Sequence, residues 1–130
     1  MDEVWRKDAH KKMKKMAEGI AESMGAICDF EVKVGYPFLK NEPVLAEELK
    51  AYAKEYMGEE NVLDLDLWMA AEDFAYYSQE IDANFYRLGI RNEEKGITSG
   101  LHTSTFDVDE TCLEVGPGLM AYLTIKQLQK

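Results

Sequence analysis

Between residues 9 and 24 apolar side chains return every three or four positions, at Ala9, Met13, Met16, Ala17, Ile20 and Met24, with Lys11, Lys12, Lys14 and Lys15 among them. That period predicts an amphipathic helix. Gly25 is placed to end it, because a helix terminus commonly needs a left-handed residue and glycine adopts that conformation without penalty. The pattern then changes. Cys28, Phe30, Val32 and Val34 alternate with Asp29, Glu31 and Lys33, the two-residue period of a half-exposed antiparallel strand. A single strand cannot pair its own backbone groups, so its partner strands must come from elsewhere.

Gly35-Tyr36-Pro37 and Asn41-Glu42-Pro43 make the next stretch rich in turn residues, and we place a domain crossing there. Pro43 suits a helix's first turn and Asn41 or Glu42 its cap. Leu45, Leu49, Tyr52, Ala53 and Tyr56 mark the buried face of that second helix, which Gly58 ends. Val62, Leu63 and Leu65 predict a short strand. Glu72 and Asp73 lead into Phe74-Ala75-Tyr76-Tyr77, a short third helix whose acidic first turn suits the dipole. Phe85, Tyr86, Leu88 and Ile90 predict another strand, followed by an irregular polar stretch from Arg91 to Gly100. From Asp109 to Lys130 the positions of Cys112, Leu113, Leu119, Met120, Leu123 and Leu128 predict a final helix, kinked or broken at Gly116-Pro117-Gly118. Helices alternating with strands after residue 43 imply an α/β layer.

Composition narrows the function classes. With 130 residues, 46% of them apolar and 31% charged, the chain is globular rather than disordered. Its 25 acidic and 15 basic residues leave a net charge of −10, which argues against nucleic acid or an anionic membrane as a partner. The charge is uneven: residues 1–24 carry +1 and the remainder −11. Cys28 and Cys112 have no CxxC spacing, and no apolar run reaches the roughly 20 residues that cross a bilayer. No signal-peptide pattern is present, and a cytoplasmic location is expected.

Candidate chemistry is confined to few residues. His10 lies among lysines on a helix and reads as a solvated group. His102 lies in Gly100-Leu101-His102-Thr103-Ser104-Thr105-Phe106, a glycine-bearing loop of the kind on which functional side chains converge. Glu72 and Asp73 are adjacent, so on a helix they point about 100° apart and read as a capping pair. Asp64-Leu65-Asp66 opens like a calcium loop, but Met69 and Ala75 stand where glycine and glutamate are required. Ser104 has no GxSxG setting and Cys112 no activating base, so covalent catalysis is not indicated.

Five motifs in order carry a resemblance: Gly35-Tyr36-Pro37, Ala71-Glu72-Asp73-Phe74-Ala75-Tyr76-Tyr77, Phe85-Tyr86-Arg87-Leu88-Gly89, Gly100-Leu101-His102-Thr103 and Phe106-Asp107-Val108-Asp109-Glu110. Together they resemble the C-terminal third of the metal-dependent amidohydrolases and zinc peptidases that include aminoacylase, hippurate hydrolase, auxin-conjugate hydrolases and carboxypeptidase G. The resemblance implies an α/β fold: the C-terminal part of an αβα catalytic domain over residues 37–130. Before it, residues 1–36 would be the helix and strand left from an α+β lid or dimerisation domain. It further implies that His102 is a metal ligand and that Glu72 stands near the catalytic site. Ala70 and Ala71 stand where members of that family often carry Gly and Ser or Ala before the Glu-Asp pair, and Pro117 replaces a residue that would continue the last helix.

The family's other metal ligands, in Asp-Cys-Gly-His-Asp and Glu-Glu motifs, and its general-base glutamate do not occur in this sequence. The expected parent enzyme uses two divalent ions (zinc, manganese or cobalt) to hydrolyse the amide bond of N-acyl amino acids or small peptides. The expected chain is a fragment of it, inactive without the missing N-terminal segment and prone to homodimerise. The alternative is a noncatalytic association module that pairs through the strand at residues 28–34.

Overall fold

Asp2 sits just ahead of the first helical residue, and its carboxylate accepts the backbone N–H groups of Val4 and Trp5 at 2.8 and 3.1 Å. In the computed structural model, which describes residues 2–130, this cap opens helix α1 (Glu3–Ser23). The helix starts earlier than the lysine-rich period alone implies, because the cap and Glu3 favour its positive end. It stops where expected. Gly25 takes φ 72°, its N–H donates to the Glu22 carbonyl, and the Ala26 N–H donates to the Ala21 carbonyl, the paired bonds of a Schellman terminus.

Helix α2 (Pro43–Met57) has proline in its first turn and Glu42 as its cap, accepting from the Leu45 N–H at 2.6 Å. Gly58, at φ 91°, ends it. A 3₁₀ turn (Glu59–Asn61) follows, and a second (Asp73–Tyr76) runs into the single helical turn α3 (Tyr77–Glu80). The last helix is α4 (Cys112–Leu128).

The chain divides into two compact units. The first holds the residues up to Lys40 together with Trp68–Ala83. In it the segment after α1 is tied back to that helix. The Arg6 guanidinium donates to the Tyr36 carbonyl at 2.8 Å, and the Phe38 N–H donates to the Glu3 carboxylate at 3.1 Å. Gln79 donates to the Phe38 carbonyl, and the Tyr36 ring stands edge-on to Tyr76 at 5.9 Å. Ala75 is wholly buried there.

The second unit holds Asn41–Leu67 and Asn84–Lys130, and its centre is the pairing of α2 with α4. Leu119 and Leu123 of α4 are buried. The Tyr56 and Tyr122 rings meet at 5.3 Å, and Lys126 pairs with Glu55 at 2.6 Å while lying over the Tyr52 and Tyr122 rings. Burial pushes the Tyr86 phenol above its ordinary pKa.

Two expectations are corrected. Among the described residues no β-ladder forms: the segments expected as strands at 28–34, 62–65 and 85–90 are not paired as strands, and the one bridge is Asn92 with Ile97. The reason is partnership. Asn41 shows what replaces it at Phe85: its side-chain amide donates to the Phe85 carbonyl at 2.9 Å and accepts the Phe85 N–H at 2.8 Å, the two bonds a neighbouring strand would make. The second correction is α4, which runs unbroken through Pro117. One ladder bond is lost there, but the flanking glycines allow close contacts that a side chain would disturb. A Cβ on Gly116 would lie 3.0 Å from Leu88, and one on Gly118 would collide with the Tyr56 hydroxyl.

Candidate functional site

His102 is delivered by a long connection in the second unit, and local chemistry shapes that connection level by level. At its base the Asn92 and Ile97 backbones exchange hydrogen bonds of 3.0 and 2.8 Å. The turn between them is set by Gly96 at φ 71° and by Asn92 Oδ1, which accepts the Lys95 N–H at 3.1 Å. Nearer the tip the Ser99 and Thr105 hydroxyls meet at 2.8 Å, Thr103 Oγ1 donates to the Gly100 carbonyl at 2.9 Å, and the Phe106 N–H donates to the Thr103 carbonyl at 3.2 Å.

His102 sits inside the Ser99–Thr105 contact at φ 62°. It is the one non-glycine described residue in left-handed space, a conformation that histidine visits more readily than branched residues but still at some cost. Its side chain is exposed. Its neutral imidazole could offer a lone pair to a metal ion.

The return of the connection is held by Asp109, which is 7% exposed and the buried charged residue of the described chain. Its own N–H donates to the Ile90 carbonyl at 3.0 Å. Its carboxylate accepts from Lys95 Nζ at 2.7 Å, from Asn92 Nδ2 and from the Thr111 N–H at 3.2 Å. These donors hold its carboxyl well below the usual carboxylate range, the Lys95 ammonium foremost. Sequence reasoning missed this clamp, whose members lie in the polar stretch read as irregular and at the start of the last helix.

Glu72 belongs to the first unit. It is half-buried, and its carboxylate accepts the Phe74 N–H at 3.2 Å, capping the 3₁₀ turn that follows. The capping role read from the sequence is therefore what the local geometry supplies. A shallow groove of about 360 Å³ in the same unit runs between α1 and residues 29–32, lined by His10, Lys11, Lys14, Phe30 and Val32, and Glu72 is not part of it.

A metal centre takes about three or four protein donors. Among the described residues no three His, Cys, Asp or Glu side chains are gathered closely enough to hold an ion. The described residues therefore do not make up a complete centre. No described helix is long and apolar enough to cross a membrane.

The profile of peptidase family M20/M25/M40 matches residues 7–126. Thermostable carboxypeptidase 2 of Saccharolobus solfataricus is 32% identical over 127 residues, which are 97% of this chain and 32% of that protein. The IAA-amino acid hydrolase ILR1-like 6 of Arabidopsis thaliana is 37% identical over 93 residues, 72% of this chain and 20% of that protein. An uncharacterized hydrolase of Staphylococcus haemolyticus is 35% identical over 105 residues, 78% and 26% of the two chains. The chain thus spans a third or less of the length of these relatives. No solved structure matches it.

Proposed function

Because the chain belongs to peptidase family M20/M25/M40, we propose that it is the closing portion of a metal-dependent hydrolase that cleaves the amide bond of N-acyl amino acids or small peptides. The relatives' names, carboxypeptidase and IAA-amino acid hydrolase, support amide-bond hydrolysis as the reaction class. In this reading residues 1–36 are the helix and strand of a lid or dimerisation domain, and residues 37–130 complete an αβα catalytic domain. Other segments of the longer fold supply the strands that pair with 28–34, 62–65 and 85–90.

The observation that carries the reading is His102, an exposed imidazole held in left-handed backbone at the tip of a doubly closed loop. A histidine so presented serves as a donor to an ion whose remaining ligands lie outside this chain. Divalent ions such as zinc, manganese or cobalt would supply carbonyl polarisation and acidified water. This chain's part is to hold one imidazole nitrogen in place, and Glu72 is assigned to the catalytic site on the family resemblance alone. The proton-moving carboxylate that hydrolysis also needs is not among its motifs, so the chain alone has no turnover.

Two measurements test this. Incubated with zinc, manganese or cobalt and an N-acyl amino acid, the purified chain is expected to release no free amino acid; metal-dependent turnover would overturn its incompleteness. Titrated with Mn²⁺ and followed by NMR, the His102 ring signals are expected to broaden ahead of those of His10, and broadening at His10 alone would remove His102 as a ligand.

A second reading has its own support. Met13, Met16 and Ile20 of α1 and Met24 at its C-cap are each more than half exposed and Ile27 is fully exposed, next in sequence to residues 28–34, which no described strand pairs. An association module that pairs through residues 28–34 would cover such a surface. A concentration-dependent dimer that binds no metal would favour it.

A further inference from the structure

The geometry points to Asp109 as a positioning residue for His102, acting by clamping the neck of the loop that presents the imidazole. The inference rests on the reading of His102 as a ligand, and it concerns how that ligand is held rather than what it holds.

The argument starts from the loop's two closures. The one near the tip, between the Ser99 and Thr105 hydroxyls, is exposed, and an exposed neutral hydrogen bond competes with water and contributes little. The one at the neck is different in kind. Asp109 is buried, and three donors from three positions converge on its carboxylate: the Lys95 ammonium, the Asn92 amide and the Thr111 N–H. Hydrogen bonds to an ionised group are the stronger class, and here the accepting carboxylate is shielded although the Lys95 side chain is half exposed. Asn92 and Lys95 belong to the turn at the outgoing end of the loop, Asp109 to its return, and Thr111 to the entry of α4, so one carboxylate ties both ends of the loop to the last helix. The Asp109 N–H adds a backbone tie to Ile90.

Between these ties lie Ile97 to Val108, with His102 near the middle. A left-handed histidine in an exposed loop relaxes to ordinary backbone unless its surroundings over-determine it. The tip's own bonds are too weak to do that alone, so the ends must be held, and Asp109 is what holds them. Lys95 contributes through Asp109: its ammonium makes the 2.7 Å ion pair.

The test uses the full chain without metal, so that it stands apart from whether His102 binds an ion. The readouts are the NOE between the amide and α protons of His102 itself, which is strong at positive φ because the two protons then approach closely, and hydrogen exchange of the amides of residues 92–106. In Asp109→Ala that NOE is expected to weaken to its random-coil strength and these amides to exchange at least roughly tenfold faster, with α2 and the second half of α4 unchanged. Lys95→Met is expected to do the same in smaller measure, and Lys95→Arg to restore the wild-type NOE. Should Asp109→Ala fail to fold, the Lys95 pair decides. An unchanged His102 NOE in the variants would overturn the proposal, and so would acceleration spread evenly over α2 and α4, which marks general destabilisation. Loss of selective Mn²⁺ broadening with an intact NOE response would instead overturn the ligand reading and leave the clamp standing.

Discussion

Helices α1 and α4 reach the same secondary structure by opposite routes. The first has 21 residues, none of them buried, and is secured by its ends: Asp2 at the start, the Schellman bonds at Gly25, and surface pairs such as Asp8 with Lys12 at 2.8 Å. The second has 17 residues, a proline and two glycines in its first two turns, and no side-chain cap from Thr111. Its local preferences are poor, yet it buries Leu119 and Leu123 in the second unit and lays Tyr122 against Tyr56 of α2. Helical stability in proteins comes mostly from packing an apolar face, and α4 follows that rule while α1 presents its stripe uncovered. A well-capped helix is thus no sign of a buried one.

The contrast can be broken first at its centre. Leu123→Ala is expected to lower the unfolding free energy of the α2–α4 unit by about 2–5 kcal/mol, leaving the helicity of α1 intact. Denaturant titration with residue-resolved hydrogen exchange checks this; equal loss in α1 would show that the helices are not independently supported. Pro117→Ala acts in the other direction. It restores the N–H that donates to Leu113 and is expected to stabilise α4 by about 1–3 kcal/mol, read as slower amide exchange around residue 117. No gain would mean that the proline's fixed backbone is worth as much as the missing bond.

At α1 the expected effects are smaller. Asp2→Ala removes two N–H acceptances and is expected to cost about 1 kcal/mol of helix stability, seen as lower circular dichroism at the helix minimum. The α2–α4 exchange pattern should not move. A final, mild effect is a pH response at Asp109. Its folded pKa is depressed, so its contribution is complete above the ordinary carboxylate value of about 4 and is lost as pH falls toward the folded value. Protection of the amides of residues 92–106, taken relative to their intrinsic exchange rates at each pH, should therefore fall on acidification below that point, and that response should vanish in Asp109→Asn.

What could be read along the chain follows the same division. The stop of α1 at Gly25, the cap and proline start of α2 and its stop at Gly58 were legible because each depends on residues within about five positions, whereas the start of α1 at the Asp2 cap was not read. The strands were not, since the alternation at 28–34 describes which face would be buried but carries no partner. The final helix was read as kinked or broken because proline's local cost is visible in sequence, whereas the fit of Gly116 to Leu88 and Gly118 to Tyr56 is not. His102 could be singled out from its loop and its resemblance, but its left-handed backbone and the clamp at Asp109 could not. That clamp joins Asn92, Lys95 and Asp109 across 17 positions in which no period or motif links them.

Sequence alone therefore determined where α1 ends, both boundaries of α2, the acidic balance and the family, because caps, turn residues, charge and ordered motifs are properties of near neighbours or of the whole composition. Tertiary structure decided which apolar positions are buried, whether a proline breaks a helix and how the loop bearing His102 is held. Those outcomes depend on which distant groups arrive to exclude water and to satisfy a buried carboxylate.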